Sequence, residues 1–283
     1  MTLEADPAAR TERVRRYYDH NASAFERLGQ GGASIHRAVW GPGVTSPAEA
    51  FHYVDELILA SAPAGRPSML DLGCGLGASL LHLASRRDLA GEGITISPVQ
   101  AARAAQLIEQ TGAGHRVRCR EGDFLALPQD LVGFADVTFS IEAFIHSPDP
   151  QRYFHEAARS LRTGGKLIIC DDFLNRDAPA ATKRQARLMH EFRTGWHAES
   201  LLTVAQVRAT AARHGLTLVR DLDLTGYLEL RRPRDLLIST LVALGRPLRP
   251  RGKYWQSLLG GNALQWALSR GLVSYRLLEL VRD

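Results

Sequence analysis

Apolar residues along this 283-residue chain fall into two rhythms. Between Pro67 and Phe173, short and nearly continuous apolar runs alternate with longer stretches in which apolar residues recur every three or four positions. A short run bounded by turn residues reads as a strand buried on both faces, and the longer rhythm as an amphipathic helix. The runs are Pro67–Leu72, Gly91–Ser97, Val117–Asp123, Phe134–Ser140 and Lys166–Cys170, the last one following a turn at Arg162-Thr163-Gly164-Gly165. Regular alternation of strand and helix predicts an α/β fold with a parallel sheet between helices. Leu216–Leu224 reads as a further strand and Val273–Val281 as the last.

Helix starts are written locally. Ser46-Pro47-Ala48-Glu49 is a capping box that opens a helix to about Ala60. Ser97-Pro98-Val99-Gln100 predicts a second box with proline at the first helical position, and Thr203 with Gln206 a third, over 203–214. Helices are also expected over 8–28 and 178–195, with a glycine-rich break at Gly29–Gly32 between the first of these and the rest. Within one domain, these elements divide the chain into an N-terminal helical cap (1–61), a core (62–229), a helical insertion (230–271) and a final strand (272–283). The cap and the insertion would roof the carboxyl ends of the strands, where ligands bind in such sheets.

Hydrophobic residues make up 45% of the chain, enough for a substantial core. Lys+Arg outnumber Asp+Glu by 35 to 30, for a formal charge of +5, and Lys166, Lys183 and Lys253 are the only lysines. Arginine therefore carries most of the positive charge. Its planar fork suits carboxylate or phosphate, although an Ala- and Arg-rich composition equally reflects the base composition of a genome. Cys74, Cys119 and Cys170 lie far apart, fit no zinc spacing and read as buried thiols in a reducing compartment. No charged leader precedes an apolar stretch, and the run around Leu236–Leu244 is far short of the roughly 20 residues that cross a bilayer. A cytoplasmic protein without a membrane span is expected; nothing in the sequence fixes the number of subunits.

The densest chemistry is Leu70–Leu80, LDLGCGLGASL. A strand carrying Asp71 runs into Gly73, Gly75 and Gly77, and a helix follows. Glycines at such a junction let a nucleotide-like cofactor lie against bare backbone. Gly73, Gly75 and Ala78 also satisfy a dinucleotide pattern, whose pyrophosphate would sit on the helix N-terminus. A carboxylate at Asp71 would repel a pyrophosphate and suits a cofactor bearing an ammonium and a sulfonium. The string resembles the first motif of class I S-adenosylmethionine-dependent methyltransferases. Downstream, GITISPVQ resembles the matching segment of tocopherol and related small-molecule members, with Thr95 where many carry an acid for the ribose hydroxyls.

That resemblance implies a Rossmann-like, mostly parallel seven-stranded sheet in the order 3-2-1-4-5-7-6, and S-adenosylmethionine as cofactor. It assigns the cofactor to Asp71, Gly73, Cys74, Gly75, Gly77, Thr95, Ser97, Gln100, Asp123, Phe124 and Ile141. Asp123 would accept from the adenine amine while Phe124 contacts the ring; a turn bond to its own backbone is the competing reading of Asp123.

After the fourth strand comes SIEAFIHSPD, which resembles sterol C-methyltransferases and antibiotic sugar O-methyltransferases. Glu142 and His146 are four residues apart, so a short helix would place both on one face. His146 could deprotonate a hydroxyl, and Glu142 could stabilise a carbocation and take up its proton; backbone bonding by Glu142 and helix capping by His146 compete with those roles. Tyr18, beside Tyr17, would fold over the cofactor, and His36 and Trp40 would border the acceptor. In the insertion, Arg231, Arg232 and Arg234, then Arg246, Arg249, Arg251 and Lys253, could clamp an anionic head group or simply face water. The Asn-Pro-Pro-aromatic motif of DNA methyltransferases is absent, so nucleic acid is not the expected substrate. A hydrophobic natural product is, with C-methylation of an isoprenoid such as a prenyl diphosphate preferred over O- or N-methylation with His146 as base. A non-methylating cyclase of the same fold is the rival from another class. No metal is required by the motifs, though magnesium would accompany a diphosphate.

Overall fold

The computed structural model describes residues 36–175, 182–230, 232–245 and 253–283. Tyr17, Tyr18, the helix expected over 8–28, the Gly29–Gly32 break, and Arg231, Arg246, Arg249 and Arg251 lie outside the described residues. In chain order the elements are α1 (Pro47–Ser61), β1 (Ser68–Leu72), α2 (Ala78–Arg86), β2 (Ala90–Thr95), α3 (Pro98–Gln110), β3 (Val117–Glu121) and β4 (Ala135–Ile141). There follow α4 (Pro150–Ser160), β5 (Leu161–Leu174), α5 (Lys183–Gly195), α6 (Val204–Ala212), β6 (Leu216–Asp223), α7 (Pro233–Gly245), α8 (Lys253–Ser269) and β7 (Val273–Arg282).

All seven strands form one sheet in the order β3-β2-β1-β4-β5-β7-β6. The first five strands pair in parallel, and β7 runs antiparallel between β5 and β6. Side chains alternate across the sheet. Met69, Val137, Phe139, Ile168, Tyr275 and Leu277 enter one core with α1, α2, α5 and α8. Leu70, Leu72, Leu167, Ile169, Leu278 and Leu280 enter the other with α4 and α6. Burial on both faces is why the central strands read as continuous apolar runs.

Several local expectations shift in register or form. The turn expected at Arg162–Gly165 is kept as an irregularity inside β5: Leu161 pairs with Ala135 and Lys166 with Val137, so the residues between them bulge. The capping boxes at Ser46/Glu49 and Thr203/Gln206 form in full. At Ser97 only half forms, because the Gln100 side chain accepts a bond from Thr95 instead of reaching back to the cap. The helix expected from 178 starts at Lys183, set by a box between Thr182 and Gln185. Glu142 and His146 do not share a helix. Glu142 has φ 52°, which turns the chain out of β4, and only Phe144–His146 makes a tight helical turn. Among the described residues, no helix is long and apolar enough to cross a membrane.

Candidate active site

The loop after β1 is held by geometry that only glycine tolerates. Gly73, Gly75 and Gly77 have φ of 101°, 54° and 77°. The Gly73 and Cys74 amides donate to the Ile94 carbonyl at 2.8 and 3.0 Å, fastening the loop to the end of β2. A Cβ on Gly73 would sit 2.5 Å from that of Ala143, so the glycine loop touches the segment after β4. Gly77 caps α2, whose N-terminus faces the loop.

Asp71 lies beneath this loop, 4% exposed. Burial, with the charge of Asp55 adding to it, pushes its carboxyl well above the usual range. Asp55 projects from α1 and is fully buried; one oxygen meets the His52 ring at 2.8 Å, and Oδ1 is sealed without a hydrogen-bond partner. Two buried acids short of positive charge are what an incoming ammonium group needs. Asp55 was not singled out from sequence. Its signal is there: with Phe51 and Ile58 it occupies the buried, helically spaced stripe of α1, where an acid is out of place.

The other residues expected to hold the cofactor have the following contacts. Thr95 donates to Gln100 Oε1 at 2.8 Å in a buried corner, which leaves the Gln100 amide nitrogen as that corner's donor. Ser97 Oγ accepts the Gln100 amide as the cap of α3. Asp123 accepts the Leu125 amide at 2.8 Å through Oδ1, so the turn bond forms, while Oδ2 accepts none among the described residues. Phe124 packs edge-on to Tyr153. Cys74 is buried beside Cys119, and a Cβ on Gly93 would lie 2.8 Å from both sulfurs. Ile141 closes β4 opposite Cys170.

On the acceptor side a residue missed by sequence reading is central. Arg37 gives both its backbone amide (2.9 Å) and Nε (3.1 Å) to Glu142 Oε1. Its two terminal nitrogens fork onto Asp172 at 3.0 and 2.8 Å, and the guanidinium stacks over the Tyr275 ring at 4.2 Å. Tyr275 donates its hydroxyl to the same Oε1 at 3.0 Å. Burial alone would raise the Glu142 carboxyl; Arg37 outweighs it, and Glu142 titrates below the usual range. Asp172, buried with a second carboxylate facing the same guanidinium, is raised. His146 lies within electrostatic reach of Glu142. Burial lowers its pKa to about 4, and its Nδ1 meets the His197 carbonyl at 3.3 Å. His36 Nε2 and Trp40 Nε1 are sealed polar atoms without hydrogen-bond partners, and Trp40 is pinned through its backbone amide to Tyr227.

Residues 70–169 match the family described as a methyltransferase domain. The 27-O-demethylrifamycin SV methyltransferase of Amycolatopsis mediterranei is 31% identical over 180 residues, which are 63% of this chain and 64% of that protein. Over that segment the chain is similar to methyltransferases, among them also the sarcosine/dimethylglycine N-methyltransferase of Halorhodospira halochloris, 30% identical over 171 residues that are 59% of this chain and 61% of that protein. The chain superposes on the 4+2 cyclase SpnF with TM-score 0.74 at 21% identity over 96% of each chain. With geranyl diphosphate C-methyltransferase from Streptomyces coelicolor A3(2) the TM-score is 0.71 at 18% identity over 99% of each. At such identities the likeness establishes the fold. The match spans less than two thirds of the length of the curated relatives.

Of the insertion's arginines singled out from sequence, the structure describes Arg232 and Arg234, and both pair with nearby acids. Arg232 bonds Asp235 and pairs with Glu229, and Arg234 is more than half exposed beside Asp235. Tyr18 and Arg231 lie outside the described residues. Among the described residues there is no group of three or more His, Cys, Asp or Glu that could hold a metal ion.

Proposed function

We propose that this protein is an S-adenosylmethionine-dependent methyltransferase that alkylates a carbon atom of a hydrophobic, isoprenoid-like acceptor, and that Glu142 holds the positive charge developing there. S-adenosylmethionine supplies a methyl group that is already activated. Asp71 and Asp55 would hold its ammonium, the glycine loop its backbone-facing edge, Gln100 and Thr95 the ribose, and Asp123 and Phe124 the adenine. The protein's task is then alignment, worth up to ~7–11 kcal/mol, and stabilisation of charge on the acceptor.

One observation carries the choice of carbon. Glu142 Oε1 takes three donors, whereas Oε2 accepts no hydrogen bond among the described residues. One guanidinium stands against two carboxylates, Glu142 and Asp172, which leaves the cluster electron-rich beside a forming cation. His146 argues the same way. A ring held near pKa 4 is neutral at physiological pH but a weak proton acceptor, poorly matched to deprotonating an alcohol. Arg232 and Arg234 pair with Glu229 and Asp235, so the reading rests on the hydrocarbon of the acceptor and not on a diphosphate clamp at these two residues.

A second reading, O- or N-methylation, is favoured by the neutral state of His146, which is the state a general base requires. Turnover assays with geranyl and isopentenyl diphosphate, the matching alcohols, phenols and sugar hydroxyls distinguish them. Methylated hydrocarbon with release of S-adenosylhomocysteine is expected. Products methylated only on oxygen would overturn the carbon assignment, and a transformed acceptor without S-adenosylhomocysteine would indicate a cyclase.

A further inference from the structure

We propose that Arg37 is the positioning residue of Glu142: it fixes Oε1 and thereby presents Oε2, as a carboxylate, to the acceptor. The proposal rests on the reading of Glu142 as the acceptor-side acid.

The geometry goes beyond a stabilising ion pair. Glu142 leaves β4 with its amide still bonded to the Cys170 carbonyl at 2.8 Å, then adopts φ 52°, a conformation a side-chain-bearing residue rarely takes. That kink is held because Arg37 grips the same carboxylate oxygen from two directions, backbone amide and Nε. The guanidinium cannot swing away: Asp172 takes its other two nitrogens in a fork and Tyr275 lies flat against it. Its own backbone is tethered two residues on, where Val39 donates to Ala50 and bridges to Leu228. All of the donors converge on one oxygen, so the other is the only one left to meet a substrate. Among the described residues the groups facing Glu142 are Arg37 and His36 from the segment before α1, Cys170, Asp171 and Asp172 from β5, Tyr275 from β7 and His146 from the turn after β4. Among the described residues Arg37 is the cation that pairs with both Glu142 and Asp172.

The test needs no acceptor. The full-length protein is labelled with carboxyl-13C glutamate, saturated with S-adenosylhomocysteine and titrated by NMR, with Glu142→Gln identifying the resonance. Wild-type Glu142 should titrate below ordinary glutamates, and Arg37→Gln should move it up by at least one pH unit while calorimetric affinity for S-adenosylhomocysteine changes less than twofold. Arg37→Lys should restore part of the shift. If Arg37→Gln alone does not fold, the double variant Arg37→Gln/Asp172→Asn, which strands no second carboxylate, should show the same rise. Glu142 titrating as in wild type in whichever variant folds overturns the proposal. Once an acceptor is known, Arg37→Gln should lower kcat at least tenfold with little change in KM and carry the acid limb of the pH profile upward. A Glu142 shift without turnover of any hydrocarbon acceptor leaves Arg37 in place and refutes the acceptor reading instead.

Discussion

The cofactor half and the acceptor half of this site are built in different ways. Under the glycine loop, contacts join neighbours in the alternation: β1 to β2, Thr95 to Gln100, Asp123 to Leu125. Around Glu142, Arg37 reaches across 105 residues to Glu142 and 135 to Asp172, and Tyr275 across 133. The first half is shaped by backbone that the local sequence imposes. The second sets charge through partners that only the folded sheet brings together. Variants in one half should therefore change affinity for the cofactor, and variants in the other the rate of transfer.

The most severe break in cofactor affinity should come at Gly73. An alanine there meets the Ala143 Cβ at 2.5 Å on a backbone with φ 101°. Strain of about 2–3 kcal/mol is expected, read as a loss of roughly 100-fold in calorimetric affinity for S-adenosylhomocysteine. Glu142→Gln should do the opposite. Affinity for S-adenosylhomocysteine stays within twofold, while kcat falls by about 10²–10³, the usual loss on removing one group that stabilises transition-state charge.

A third test uses pH. His146 is held near 4 by burial, against about 6.5 unperturbed. Between those values the unfolded chain binds a proton that the folded chain does not. The contribution of His146 to stability is thus complete above about pH 6.5 and is lost as pH falls toward 4, by up to about 3 kcal/mol. Urea titrations at pH 6.5 and 4.5 should show a smaller difference for His146→Asn than for wild type; equal differences would mean that the ring is not held neutral by the fold.

The smallest effect sharpens the cofactor side. Asp55→Asn should weaken S-adenosylhomocysteine by about tenfold, or 1.4 kcal/mol, and leave methylthioadenosine, which lacks the amino-acid chain, unchanged. Equal weakening of both would move the ammonium away from the Asp55–Asp71 pair.

Much of the fold was legible because its signals are local. Apolar runs, capping boxes at Ser46 and Thr203, and the Asp71–Gly77 turn each report on a few adjacent residues. Asp55 was readable as an acid on an apolar stripe but was passed over. Arg37 was not readable: it sits between His36 and Trp40 with no acid within helical reach, and its partners come from three separate strand ends. The expected helical pairing of Glu142 with His146 failed because spacing of four implies one face only if the intervening backbone is helical, and Glu142 is left-handed.

By itself the sequence determined the alternating scaffold, the glycine turn and the acid beneath it, since steric limits on φ and hydrophobic periodicity act over one or two turns of chain. The tertiary structure decided which carboxylates stay ionised and which oxygen of Glu142 remains open. Those properties depend on burial and on charges a few ångströms away in space but more than a hundred residues away in the chain.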